Sequence, residues 1–135
     1  MPGYSGTPLA KKLGFTKPMD VLVVAAPAEY QEWLGPLPDG VHIVTRTSGA
    51  AVAAHLFVTR RSELAKQLDR FRERLDPAGF VWVSWPKRAS KVTTDVTEDV
   101  VRDLALPLGF VDIKVCAVSE VWSGLKLVIR RELRG

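Results

Sequence analysis

Two stretches of this chain leave little choice of fold. Val21-Leu22-Val23-Val24-Ala25-Ala26 and Phe80-Val81-Trp82-Val83 each run without a polar residue. A strand with one face in water alternates apolar and polar side chains, whereas a strand without alternation is covered on both faces. The second run continues through Ser84 and Trp85 until Pro86 stops it, so it reads as a central strand. Between the two lies a segment of another period. Leu64, Leu68, Phe71 and Leu75 recur as one face of a helix, with Lys66, Gln67, Asp69, Arg70, Glu73 and Arg74 on the other. Doubly covered strands that alternate with amphipathic helices imply a mostly parallel sheet with helices on both faces.

The remaining segments fit that plan. Thr7 and Pro8 read as an N-cap and first helical position, with Gly14 past the helix end, giving a short helix over Pro8–Leu13. Pro27 opens a second short helix with Tyr30, Trp33 and Leu34 inward, ended by Gly35, Pro36, Pro38 and Gly40. Val41–Thr45 and Ala54–Thr59 read as strands, separated by a Thr47-Ser48-Gly49 loop. Ser62 is the expected cap of the long helix, and Asp76-Pro77-Ala78-Gly79 the turn after it. Thr97 caps another helix, with Glu98 and Asp99 in its first turn, Val100, Val101, Leu104 and Leu108 inward, and Gly109 at its end. Val111–Val118 and Leu125–Arg131 are joined by the short Ser119–Gly124 segment and are expected to be antiparallel, with Gly124 a turn residue of positive φ and Trp122 a cap on the core.

With 135 residues, 47% hydrophobic and 25% charged, the chain is expected to form a single α/β domain with a real core. Its one cysteine, Cys116, allows no internal disulfide, and with two histidines it offers no zinc-ligand spacing. Cys116 reads as a buried, inert thiol. Neither a signal peptide in Met1–Phe15 nor an apolar run of membrane-spanning length is found. The net charge of +4 is uneven: residues 1–58 carry 0, residues 59–91 carry +5, residues 92–123 carry −4 and residues 124–135 carry +3.

The order of elements over about residues 55–131 resembles the second half of a class I methyltransferase. Leu75-Asp76-Pro77-Ala78-Gly79-Phe80-Val81 is similar to that fold's Leu-x-Pro-Gly-Gly turn before its fifth strand. Leu108-Gly109-Phe110 is similar to the Gly-Phe entry to its sixth, and the closing hairpin matches its reversed seventh strand. Over nearly its whole length the chain also resembles a family of small uncharacterised bacterial proteins, domain of unknown function 3052. The matching stretches are Gly3-Tyr4-Ser5-Gly6-Thr7-Pro8-Leu9, His55-Leu56-Phe57-Val58-Thr59-Arg60, Trp82-Val83-Ser84-Trp85-Pro86-Lys87 and Trp122-Ser123-Gly124. That second resemblance implies a cytoplasmic bacterial protein and brings no activity with it. Together these give the expected fold class: a reduced Rossmann-like, methyltransferase-like sheet, mostly parallel, closed by a C-terminal antiparallel hairpin.

The cofactor signals of the methyltransferase resemblance are missing. A nucleoside cofactor calls for glycines after the first strand and an acid after the second. Here Ala25-Ala26-Pro27-Ala28-Glu29 and Thr45-Arg46 stand in those places, and Arg46 lacks the glycine loop that a 2′-phosphate ligand would also need. No cofactor is therefore expected. There is no phosphate-binding Gly-x-x-x-x-Gly-Lys loop and no Gly-x-Ser-x-Gly elbow, and Ser84, Ser90 and Ser123 have no histidine near them in sequence, although a spatial triad with His42 or His55 stays open. Ligands of open parallel sheets bind beyond the carboxyl ends of the strands. Those ends carry Arg46, Arg60, Arg61, Ser84, Trp85, Lys87, Arg88 and Lys91. The candidate anion site is Arg60, Ser84, Trp85, Lys87 and Lys91, with arginine to grip two oxygens and Trp85 to stack.

The preferred sequence reading is thus a non-catalytic binding or regulatory module for an anionic small molecule, more a binder than an enzyme. The alternatives are an S-adenosylmethionine-dependent methyltransferase with an atypical cofactor site, which would need close backbone approach at Ala25–Glu29, and a nucleic-acid-binding protein. For the last, Arg60, Arg61, Lys66, Arg70, Arg72, Arg74, Lys87, Arg88 and Lys91 could form a patch, but Arg70, Glu73 and Arg74 share a face with acidic neighbours, as on an ordinary salt-bridged helix, and no recognition motif is present. The sequence sets no oligomeric state.

Overall fold

The computed structural model describes residues 8–134. Thr7 and the Gly3–Thr7 part of the family-like motif lie outside the described residues. The elements are α1 (Leu9–Lys12), β1 (Met19–Val24), α2 (Tyr30–Leu34), β2 (Val41–Val44), β3 (Ala51–Phe57), α3 (Arg61–Arg74), β4 (Leu75–Pro86), α4 (Glu98–Ala105), β5 (Phe110–Ala117) and β6 (Trp122–Ile129). The six strands form one sheet in the order β2-β1-β3-β4-β6-β5. β2, β1, β3 and β4 are parallel; β6 is antiparallel to both β4 and β5. The sheet is mixed and mostly parallel, with the expected C-terminal antiparallel hairpin.

Both unalternating runs lie on interior strands, β1 and β4, but the first ends at Val24 and leaves Ala25 and Ala26 outside the sheet. On one face Leu22, Ala54, Leu56, Val81, Val83, Leu125 and Leu127 pack against Leu64, Leu68 and Phe71 of α3 and Val101 and Ala105 of α4. On the other, Val21, Val23, Ala53, Phe57 and Trp82 pack against Ala10, Leu13, Tyr30 and Leu34 of α1 and α2. The Trp82 indole N–H donates to the Leu13 carbonyl at 2.8 Å, which fixes the short α1 onto the sheet. Thr97 caps α4 as expected, accepting from the Val100 N–H.

Three local expectations are corrected. Asp76–Gly79 is not a free turn: α3 passes directly into β4, Leu75 pairs with Ala51, and the register slips between Ala51 and Ala53. Asp76 Oδ1 accepts from the Ala78 N–H at 2.9 Å, and a Cβ on Gly79 would meet the Val52 carbonyl oxygen at 2.7 Å. Glycine is therefore needed for close strand approach rather than for a reversal. The long helix starts at Arg61, with Arg60 rather than Ser62 at its cap. Trp122-Ser123-Gly124 is strand: Gly124 pairs with Ser84 and Cys116, and its φ is not positive. A Cβ there would lie 3.2 Å from both Trp82 and Val118, so close packing selects the glycine.

The link from β2 to β3 spans only residues 45–50. Parallel crossovers ordinarily take a dozen residues or more. Here β2 is four residues long, so the return path is short, and Arg74 of α3 donates to the Thr47 carbonyl along it at 3.5 Å.

Candidate functional site

From β1 the chain proceeds to β2 on one side of it and then to β3 on the other. Such a reversal opens a crevice beyond the carboxyl ends of the strands. A cleft of about 440 Å³ lies there, at the ends of β1 and β2 and displaced toward β2 from the β1–β3 junction. Its floor is Ala25, Ala26 and Ala28, its apolar wall Val23 and Ile43, and its polar groups include Tyr30, Gln31 and Thr45. The floor depends on one unusual residue. Ala25 has φ 60°, a left-handed conformation that costs a side-chain-bearing residue about 1–2 kcal/mol. That turn lifts the chain off the end of β1 and into α2.

Beneath the cleft runs a buried polar chain. The Tyr30 hydroxyl is 2.7 Å from His55 Nδ1, and His55 Nε2 is 2.8 Å from Ser84 Oγ. His55 and Ser84 are fully buried, and the imidazole stacks on Phe57 at 4.4 Å between centroids. Burial drives the His55 pKa down to about 3, so the ring is neutral at physiological pH. Burial also raises the Tyr30 pKa, keeping the phenol protonated. A serine bonded to a histidine is the start of a nucleophilic triad. This pair is sealed from solvent and its third member is a phenol, so it activates no nucleophile for an outside substrate. Sequence reasoning left the Ser84–His55 pairing open and missed Tyr30, because the three residues meet only once β3 and β4 are in register.

The five candidate anion-site residues do not converge. Ser84 is fully buried and committed to His55. Trp85, 5% exposed, points to the opposite face, into the core beneath α3 and α4. Arg60 and Lys87 sit three residues beyond the register partners Phe57 and Ser84. Arg60 is exposed, whereas Lys87 donates from Nζ to the Ser119 carbonyl at 2.9 Å. Lys91 is exposed and left-handed, with φ 61°. On α3, Arg72 donates to the Leu108 carbonyl at 2.7 Å, which ties that guanidinium to the protein while leaving its charge. Cys116 is half-buried; burial raises its pKa, against the opposing pull of Lys12, Lys114 and Lys87. Among the described residues no group of three or more His, Cys, Asp or Glu side chains could hold a metal ion, and no helix is long and apolar enough to cross a membrane.

No family model matches the chain, so the resemblance to domain of unknown function 3052 gains no support there. No curated protein matches it either. Solved structures do. A SAM dependent methyltransferase from Aquifex aeolicus aligns with 90% of this chain and 88% of its own length, at 16% identity and TM-score 0.58. The ribosomal protein L11 methylase from Lactobacillus delbrueckii subsp. bulgaricus aligns with 91% and 76%, at 12% identity and TM-score 0.58. Magnesium protoporphyrin IX methyltransferase from Synechocystis, solved with bound SAM, aligns with 90% and 74%, at 10% identity and TM-score 0.58.

At these identities the likeness establishes the methyltransferase-like fold. It also corrects the preferred sequence reading. The three neighbours named are methyltransferases, which counts against a non-catalytic anion-binding module of unknown function and favours the methyltransferase alternative.

The cofactor implied by that fold, S-adenosylmethionine, can be tested against the cleft. The cleft lies beside the crossing point, on its β2 side, and falls within the 300–1,000 Å³ range of small-molecule sites. Its floor carries only methyl side chains, smaller than any residue but glycine, and Ala25 already holds the left-handed turn. Val23 and Ile43 suit a base, and Thr45 and Gln31 can hydrogen-bond hydroxyls. Pro27 removes one N–H, and Thr45 stands where a carboxylate was looked for. The residues fit an adenosyl group held by neutral contacts.

Proposed function

We propose that this chain is an S-adenosylmethionine-dependent methyltransferase with an atypical cofactor site, folded as a single α/β domain. The observation that carries this reading is a cleft of cofactor size beyond the carboxyl ends of β1 and β2, beside the crossing point, in a sheet shared with methyltransferases. When bound, the cofactor supplies an electrophilic methyl group. The chain's own residues do the rest. Ala25, Ala26 and Ala28 admit the adenosyl group to the backbone, Val23 and Ile43 exclude water from one side, and Thr45 and Gln31 orient it. Without a carboxylate for the ribose hydroxyls, affinity rests on shape and neutral hydrogen bonds, each worth about 0.5–1.5 kcal/mol. The exposed cations Arg60 and Lys91, beyond β3 and β4, are the members of the sequence-derived set free to meet an anionic acceptor substrate. Membership of the domain of unknown function 3052 family and a cytoplasmic setting belong to the same proposal and rest on the motifs quoted above.

The test is thermal and calorimetric titration with S-adenosylmethionine and S-adenosylhomocysteine. Ligand at one hundred times its Kd stabilises the folded state by about 2.7 kcal/mol. The exposed Thr45, replaced by tryptophan, fills the cleft and abolishes that shift while leaving the unliganded protein about as stable, as is usual for surface changes. No shift in the wild type at millimolar ligand, or an equal shift in Thr45→Trp, overturns the reading.

A further inference from the structure

The polar chain beneath the cleft contains one hydrogen too many. Ser84 Oγ, the neutral His55 ring and the Tyr30 hydroxyl bring three hydrogens to two hydrogen bonds. Two arrangements satisfy both bonds. In one, Tyr30 donates to Nδ1 and Nε2–H donates to Ser84, leaving the serine hydrogen over. In the other, Ser84 donates to Nε2 and Nδ1–H donates to Tyr30, leaving the phenol hydrogen over. The two ends are not equivalent. Ser84 is fully buried on the central strand, His55 is the one partner of its hydroxyl among the described residues, and its near neighbourhood includes Gly124, itself packed on Trp82. A hydrogen stranded there costs the desolvation of an unpaired donor. Tyr30, 3% exposed, is by contrast one of the residues that line the cleft. From these placements we infer that His55 is the Nδ1–H tautomer and that Tyr30 presents its O–H to the cleft, as a donor for an acceptor atom of the ligand.

The ligand class follows from that donor. The atom that meets Tyr30 is a ring nitrogen, a hydroxyl or a carbonyl oxygen, all of which a nucleoside carries. His55 and Ser84 are then positioning residues that act through Tyr30. The ligand part of this inference rests on the proposed cofactor reading; the tautomer does not.

The experiment is nitrogen-15 NMR of the histidine side chains in the full chain without ligand, followed by calorimetry. The expected spectrum shows His55 Nδ1 bearing hydrogen and Nε2 without it. Tyr30→Phe removes the acceptor of Nδ1–H and leaves one buried hydrogen unpaired in either tautomer, so the deciding spectrum is that of the wild type, and Ser84→Ala removes the serine hydrogen that sets the Nδ1–H preference. Tyr30→Phe also binds S-adenosylmethionine about three- to tenfold more weakly, the range of one neutral hydrogen bond. An Nε2–H tautomer in the wild type overturns the inference whatever the ligand does. So does an unchanged Kd in a folded Tyr30→Phe. An Nδ1–H tautomer in a wild type that binds no S-adenosylmethionine supports the donor assignment and removes the cofactor reading alone.

Discussion

Replacing Ala25 with glycine acts on the backbone turn that forms the cleft floor. Ala25 is exposed, so deleting its methyl removes almost no buried surface. What changes is the cost of φ 60°. An L-residue with a Cβ pays about 1–2 kcal/mol there, and glycine pays nothing for the conformation. Against this, glycine gains freedom in the unfolded chain, which costs about 0.4–1 kcal/mol on folding. The difference is a net stabilisation of roughly 0.5–1 kcal/mol. Urea denaturation followed by tryptophan fluorescence reads it as a higher midpoint at unchanged slope. Ala25→Val sharpens the test, because a β-branched residue is a genuine outlier at positive φ; it is expected to lose more than the glycine variant gains. A glycine variant less stable than wild type by 0.5 kcal/mol or more, or a valine variant equal to wild type, refutes the strained turn.

Two further outcomes are expected. Thr97→Ala removes the acceptor of the Val100 N–H and destabilises by about 1 kcal/mol, measured by urea denaturation. His55 titrates near 3 when folded and near 6.5 when unfolded, so between those values the unfolded state binds more protons. Its contribution is complete above pH 6.5 and is lost as pH falls toward 3, at up to about 1.4 kcal/mol per pH unit; denaturation of wild type and His55→Gln across pH 7 to 4 shows this as a slope the variant lacks.

The parts of the fold legible in the sequence are those whose signal is local. Val21–Val24 and Phe80–Val83 announce a central parallel sheet by their lack of alternation, and Thr97 announces a helix start by its side chain. The misread parts are set by contacts distant in sequence. Gly79 and Gly124 look like turn residues, yet the Val52 carbonyl and the Trp82 ring are what exclude a Cβ there. The candidate site suffered in the same way. Ser84 and Trp85 are adjacent at a strand end, but the two-residue period sends them to opposite faces, and both are buried. The cleft floor was singled out at Ala25–Glu29 as the place a methyltransferase would need. The left-handed turn of Ala25 has no sequence signature, because alanine is not the residue expected to adopt it.

The placement of β6 between β4 and β5 also governs the order in which the sheet can be completed during synthesis. Among the described residues β5 has β6 as its sole partner strand, and the edge of β4 away from β3 is closed by β6 alone. A nascent chain that has emerged through Ala117 therefore holds its central strand with one edge bare and carries β5 with no ladder to join. Bare strand edges are templates for pairing with other chains. Between the emergence of Phe110 and that of Ile129 the chain is open to misassembly at β4, and arrival of β6 closes that edge and gives β5 its ladder in one step.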